Sequence, residues 1–407
     1  MTVTTWERCI RLKEPLKTKP FLVFAGLAVL GLLLGLYREL AGLGYVTGLN
    51  DGYSWGLFKN WNVTALTAFG SGGYAVAVLA WIYNERKFHP IMRTAVLTSL
   101  LGYGTGMVAL GFDVGRPWNF IWLADPHTWN HYSVLWEVAV CMTSYFLLAL
   151  DVENMPPFLE KIYRQDDPAM KSIALRIFHL LQKAFPFVIA LAFVLPSMHQ
   201  SSLGELMYLA GPRVHPLWQT PLLPLLYLMM AYILGFACVL LVLVLSSYAW
   251  RLGWDGEVLG RLALWMAWTA VVWAGFRFGD LAYRGALGLA LTFDRFSIYF
   301  LVETALILVP ALVLLSKAQR EAPGSLFRWT FVMALGGLLY RFTPTTLAFS
   351  PLGDYRYFPS VFEILMSVGF TALAVAAFLY AVKTFAILPA SQGKIVAEEA
   401  IKPFDTL

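Results

Sequence analysis

Apolar residues along this chain come in long runs separated by short polar breaks, without the regular alternation that marks the half-buried elements of a water-soluble fold. Runs of about 20 apolar residues, the length that crosses a bilayer as a helix, fall at roughly 20–38, 60–83, 91–112, 131–151, 173–195, 221–245, 262–283, 298–315, 326–347 and 361–386. The pattern predicts an all-α fold, a polytopic membrane helix bundle of about ten transmembrane helices. Residues 1–19 and 387–407 are expected to be short segments outside the bundle, with 20–386 as its transmembrane domain. The charged leader is longer than a signal peptide's basic region and precedes a full-length span, so it reads as an uncleaved anchor. No connection is long enough for a separate soluble domain, and no internal repeat or low-complexity tract is visible.

Charge then orients the bundle. Twenty of the 30 Lys and Arg residues fall in the two ends and in one alternate set of connections, for example Arg86, Lys87, Arg93, Lys161 and Arg164. Seven fall in the other set, and Lys183, Arg277 and Arg341 lie within spans. The positive-inside rule places both termini in the cytoplasm, as an even number of spans also requires. With 59% apolar and 14% charged residues, the net charge of +5 reads as membrane topology and implies no nucleic-acid partner. Cys9, Cys141 and Cys238 are far apart, without CxxC or ligand-spaced His, so neither a disulfide framework nor a metal site is expected.

Once depth is assigned at about 1.5 Å per residue, the ionisable residues inside the spans gather near one surface. Glu137 lies within the fourth span, Arg277 and Asp280 near the end of the seventh, Glu303 in the eighth and Arg341 in the ninth. Lys59, Asn62, Asp113, Arg116, His199 and Glu363 mark the same level. Such charges are costly in a bilayer, and their near-balance suggests pairing within the bundle. Each pair on its own could serve only to lock helices together. Their concentration at one level instead suggests a proton-exchanging pocket for an amphipathic ligand arriving through lipid, and a quinone fits that description. None of the six histidines has an evident partner of matching depth, although His131 with His199 is conceivable, so no haem is expected. The loops at that level, PWNFIWLADPHTWNHY and YLAGPRVHPLWQTP, are aromatic and sparsely charged, which fits either an interfacial belt or a docking surface.

The segments NDGYSWGLFKNWN, GFDVGRPWNF, YSVLWEVAVCMT, LPSMHQSSLGELM with VHPLWQ, FRFGDLAYR and YFPSVFEILMSVGF follow one another over most of the chain. Together they resemble the ten-helix HybB-type branch of the NrfD/PsrC (polysulfide-reductase membrane subunit) family. The resemblance implies an inner-membrane subunit exchanging electrons between a periplasmic iron–sulfur protein and menaquinone or ubiquinone. A catalytic partner such as a nickel–iron hydrogenase or a sulfur-metabolism enzyme would act through that protein. It also implies a proton-linked role for Glu137, places His199 and Gln200 at the rim of the site, and sets Arg277 and Asp280 beside the quinone region. Asn62 stands where some relatives carry an acid. Asp113, Arg116 and Asn62 complete the expected binding set around the catalytic pair Glu137 and Asp280. The alternatives are a proton channel or transporter without electron transfer, favoured by midplane polar sites, and a passive anchor without its own quinone site.

Overall fold

A computed structural model describes residues 6, 8–390 and 397–399. Among these residues, nine helices are long and apolar enough to cross a membrane. They are α1 (Lys19–Ala41), α2 (Leu57–Ile82), α3 (Arg86–Asp113), α4 (Val134–Tyr163), α5 (Pro168–Leu209), α6 (Leu223–Trp250), α7 (Gly256–Tyr283), α8 (Arg295–Leu314) and, last in sequence, α10 (Val361–Thr384). Between the last two lies α9 (Pro323–Phe342), where the run at 326–347 predicts a span. Arg328, Arg341 and the pair Gly336–Gly337 dilute its apolar run, yet it packs along both α6 and α8 as a bundle member.

Two four-helix rings make up the body. In the first, α2, α3, α4 and α5 each pack on the next and α5 returns to α2; α6, α7, α8 and α9 do the same in the second. The rings meet where α6 packs on α2 and α5. Outside them, α1 and α10 lie together, with Gly31 against Gly369. A Cβ on Gly31 would stand 2.7 Å from the Gly369 Cα, so only two glycines permit that approach.

Three helices depart from the sequence expectation in ways that bear on the site. Expected at 173–195, α5 runs for 42 residues, with Pro186 and Pro196 inside it. His199 and Gln200, expected at a helix end, therefore lie within it. Helix α4 continues well past 151, through a π-helical turn at Tyr145–Leu150 that keeps its backbone bonded. Helix α2 contains two such turns, Asn60–Ala65 and Val78–Ile82.

The ends of the chain also form a small sheet that the hydrophobic pattern did not announce. Strand β1 (Arg8–Leu12) pairs antiparallel with β2 (Leu388–Ala390) on one side and β3 (Ala397–Glu399) on the other. The sheet closes a cluster of Ile10, Leu12, Leu252, Val382 and Leu388 beneath it. Both ends therefore share one face of the bundle, which the Lys/Arg distribution expects to be cytoplasmic. The remainder of the expected tail lies outside the described residues.

Candidate functional site

The ionisable groups that the sequence gathers at one level separate into two sets. The first is paired. Arg277 of α7 forms an ion pair with Glu303 of α8, both side chains almost wholly buried. The Glu303 carboxylate also accepts from Trp218 Nε1 at 3.3 Å and Thr343 Oγ1 at 2.8 Å, so both oxygens are occupied. Trp218, Trp273, Phe300 and Tyr340 surround the guanidinium, the nearest ring centroid at 4.4 Å. Asp280 pairs with Arg284 one turn along at 2.6 Å and accepts from Thr220 at 2.8 Å. Asp113 pairs with Lys59 at 2.9 Å. Glu363 completes a capping box with Ser360 at the start of α10 and accepts from the Gly48 amide and the Tyr357 hydroxyl. Arg116 is exposed in the loop after α3.

The second set belongs to the first ring and keeps acceptors without a partner. Among the described residues the half-buried Glu137 carboxylate makes no ion pair or hydrogen bond, and on the next residue the Val138 carbonyl lies 3.2 Å from His199 Nδ1. A carbonyl can only accept, so that contact puts a proton on Nδ1 and leaves Nε2 of the neutral ring as an acceptor. Nε2 is buried without a partner. Gln200 Nε2 reaches the hydroxyls of Thr67 and Tyr103, each at 3.1 Å, and leaves its Oε1 unpartnered. Asn62 donates to the Phe58 carbonyl at 2.8 Å, which again leaves its side-chain oxygen free. The structure thus brings Glu137, His199, Gln200 and Asn62 onto one ring and assigns protein partners to Arg277, Asp280 and Asp113.

Arg341 stands between the rings. It is fully buried, donates to the Tyr227 carbonyl at 2.6 Å, and has two nitrogens without a partner. Tyr74, Tyr103 and His199 of the first ring lie within its electrostatic reach.

Two features escaped the sequence reading. An apolar groove of about 420 Å³ on the flank of the first ring is bordered by Trp61, Leu66, Gly70, Gly102, Leu241 and Phe378. Its floor is the close approach of Gly70 to Gly102, beside Tyr103. Buried charges also occur at the opposite end, correcting the expectation that titratable groups gather at one level only. Arg93 pairs with Glu160 at 2.9 Å, both buried, and Glu153 is buried nearby. Arg93, Glu153 and Glu160 fall where the hydrophobic pattern predicts connections or span edges.

The polysulphide reductase NrfD family model matches residues 45–345. An Escherichia coli (strain K12) protein named "Probable Ni/Fe-hydrogenase 2 b-type cytochrome subunit" is 36% identical over 375 residues, 91% of this chain and 93% of that protein. A protein of Nitratidesulfovibrio vulgaris is 30% identical over 214 residues, 52% of each chain. The E. coli name mentions a b-type cytochrome, and a haem held between helices needs two inward-facing axial histidines. Of the six histidines here His199 alone is buried; the other five are exposed or half-buried, so the ring interiors do not supply such a pair. The family match takes in both four-helix rings and leaves α1 and α10 outside it. This multi-pass membrane chain belongs to the polysulphide reductase NrfD family.

Proposed function

We propose that this chain is the quinone-reactive membrane subunit of a multi-subunit redox complex. In this reading menaquinone or ubiquinone reacts at the first ring, and electrons pass to or from a periplasmic iron–sulfur subunit. Through that subunit the chain serves a catalytic partner of the nickel–iron hydrogenase or sulfur-metabolism type, in keeping with the name of its E. coli relative. The observation that carries the proposal is the trio of unpartnered acceptors, His199 Nε2, Gln200 Oε1 and the Asn62 oxygen, beside the free carboxylate of Glu137. A buried acceptor without a donor costs roughly 1–3 kcal/mol, and a hydroquinone brings two O–H groups that relieve it. The apolar groove alongside suits the tail of such a lipid.

His199, held by the Val138 carbonyl, accepts a proton from a hydroquinone hydroxyl and returns it in the reverse direction. Glu137, one residue from that carbonyl and half-exposed, carries the proton to or from the surface. Gln200 and Asn62 orient the ring. The partner docks on the aromatic loop after α3, where Trp118, Ile121, Trp122 and Tyr132 are all more than half exposed.

Glu137→Gln tests this reading in the purified complex. Quinone-linked turnover is expected to fall at least about 100-fold, in the range of a lost general acid–base group, while artificial-dye activity of the partner persists. Equal loss of both activities would place Glu137 in the scaffold. Absence of quinone from lipid extracts of the purified complex, together with quinone-linked turnover insensitive to His199→Phe, would leave only a passive anchor.

A further inference from the structure

At the sheet-capped face the two rings leave a cleft of about 1070 Å³ between their rims, at the large end of the range of roughly 300–1,000 Å³ for small-molecule sites. The first ring supplies the turn between α2 and α3, and the second supplies the start of α7 and the connection from α8 to α9. Trp6, just ahead of β1, closes one wall. Among the described residues five cations and three carboxylates line the cleft, and the carboxylates are already engaged. Asp255 accepts from the amides of Trp6 at 2.9 Å and Val258 at 3.0 Å, which caps α7, so the helix end itself is not what draws an anion. Glu257 pairs with Lys87 across the gap, and Glu321 lies 3.8 Å from Lys317. Arg261 is held by Glu85 at 2.7 Å.

Two guanidiniums from opposite rims are left without a carboxylate among the described residues. Arg320 donates to the Leu315 carbonyl at 2.6 Å and makes no ion pair, and the exposed Arg86 side chain makes neither hydrogen bond nor ion pair. A guanidinium offers parallel N–H donors that match two oxygens of a phosphate. The cleft also runs onto the apolar flank of the bundle. Its Leu264 heads a stripe along α7 that continues at every fourth residue through Trp268, Val272 and Phe276, each about half exposed. Beside it, Ile82 and Tyr83 at the end of α2 are more than half exposed, and Tyr83 packs on Trp265 of α7 with ring centroids 5.2 Å apart. A free anion would use only the basic end of this surface, whereas a lipid uses both ends.

We infer that the cleft binds the phosphate of an anionic phospholipid from the leaflet on this side, with Arg86 and Arg320 as its ligands and the flank of α7 as the seat of an acyl chain. Basic pockets between membrane helices hold such headgroups by charge and hydrogen bonding together. A lipid gripped from both rims ties the rings to each other, alongside the ion pairs Lys87–Glu257 and Arg261–Glu85 that already cross the gap. The site stands apart from the quinone reading and does not depend on it.

Native mass spectrometry of the full chain in detergent tests it, with phosphatidylglycerol as the probe and phosphatidylcholine as the zwitterionic control. The wild-type chain is expected to retain phosphatidylglycerol in preference to phosphatidylcholine. Combining Arg86→Gln with Arg320→Gln is expected to weaken that retention at least tenfold, about what two basic contacts supply at a membrane surface. Arg86→Gln alone, which removes a side chain with no partner to lose, is expected to weaken it about fivefold and decides the matter if the double variant does not fold. Arg328→Gln removes an exposed cation near the same end of α9 but outside the cleft, and should change nothing. Undiminished retention in the Arg86 variants overturns the site. So does an equal loss in Arg328→Gln, which would mean diffuse surface charge. Displacement of the lipid by inorganic phosphate at matching concentration would assign the cleft to the free ion and overturn the lipid.

Discussion

The two four-helix rings share a connectivity but hold their buried polar groups differently. In the second ring, the Glu303 carboxylate is filled by Arg277, Trp218 and Thr343, and aromatic rings enclose the guanidinium. In the first ring, His199, Gln200 and Asn62 each keep one polar atom without a partner among the described residues, and Glu137 makes no ion pair or hydrogen bond with them. Both rings contain costly groups in an apolar setting, but what they leave unpartnered differs: acceptors of His199, Gln200 and Asn62 in the first, donors of Arg277 and Arg341 in the second. Charge within a span is therefore a poor guide to a reaction site until its partners are known, and unspent hydrogen-bonding capacity is a better one.

Breaking the sealed pair should produce the largest effect. Glu303→Ala strands a buried guanidinium and is expected to cost about 3–5 kcal/mol, seen as lower thermal stability of the purified complex with dye-linked and quinone-linked activity falling together. The double change Glu303→Leu with Arg277→Met should recover most of that stability, since an apolar pair of similar volume removes the stranded charge. Failure to recover would mean that the pair has a further role. In the first ring the expected pattern reverses. His199→Gln should leave thermal stability within about 1 kcal/mol and lower quinone-linked turnover by roughly two orders of magnitude, read as a kcat change at saturating quinone. The smallest effect belongs to the rim: Asp280→Asn weakens a partly exposed pair one helical turn apart and is expected to change stability by less than about 1 kcal/mol, with turnover unaltered. A large turnover loss there would return Asp280 to the reactive set and erase the contrast between the rings.

Much of the bundle was legible because bilayer thickness fixes helix length, so runs of about 20 apolar residues announce themselves. The level of Glu137, Arg277, Asp280 and Glu303 could likewise be read from their distance to the span ends. Pairing could not. Whether Arg277 faces Glu303 or open space depends on helix rotation and contact, to which one sequence gives no direct access. Tyrosine in a membrane protein reads as interfacial, so the sequence gives no sign that Tyr74 and Tyr103 lie inside the ring. The sequence gives no sign of Glu153 for two reasons: the apolar run stops at 151, and the π turn before it has no signature in the hydrophobic pattern. The terminal sheet was hidden in segments too short and too charged to register as strands.

The glycine contact between α1 and α10 has a consequence for biosynthesis. Helix α1 finds its principal partner only after α10 has been translated, and strands β1 and β2 then join behind them. A chain cut short before Gly369 would leave α1 lying alone in lipid with its small-residue seam uncovered. Synthesis as far as α10 is thus written into the packing itself, and a molecule lacking it would present a face that membrane quality control could recognise.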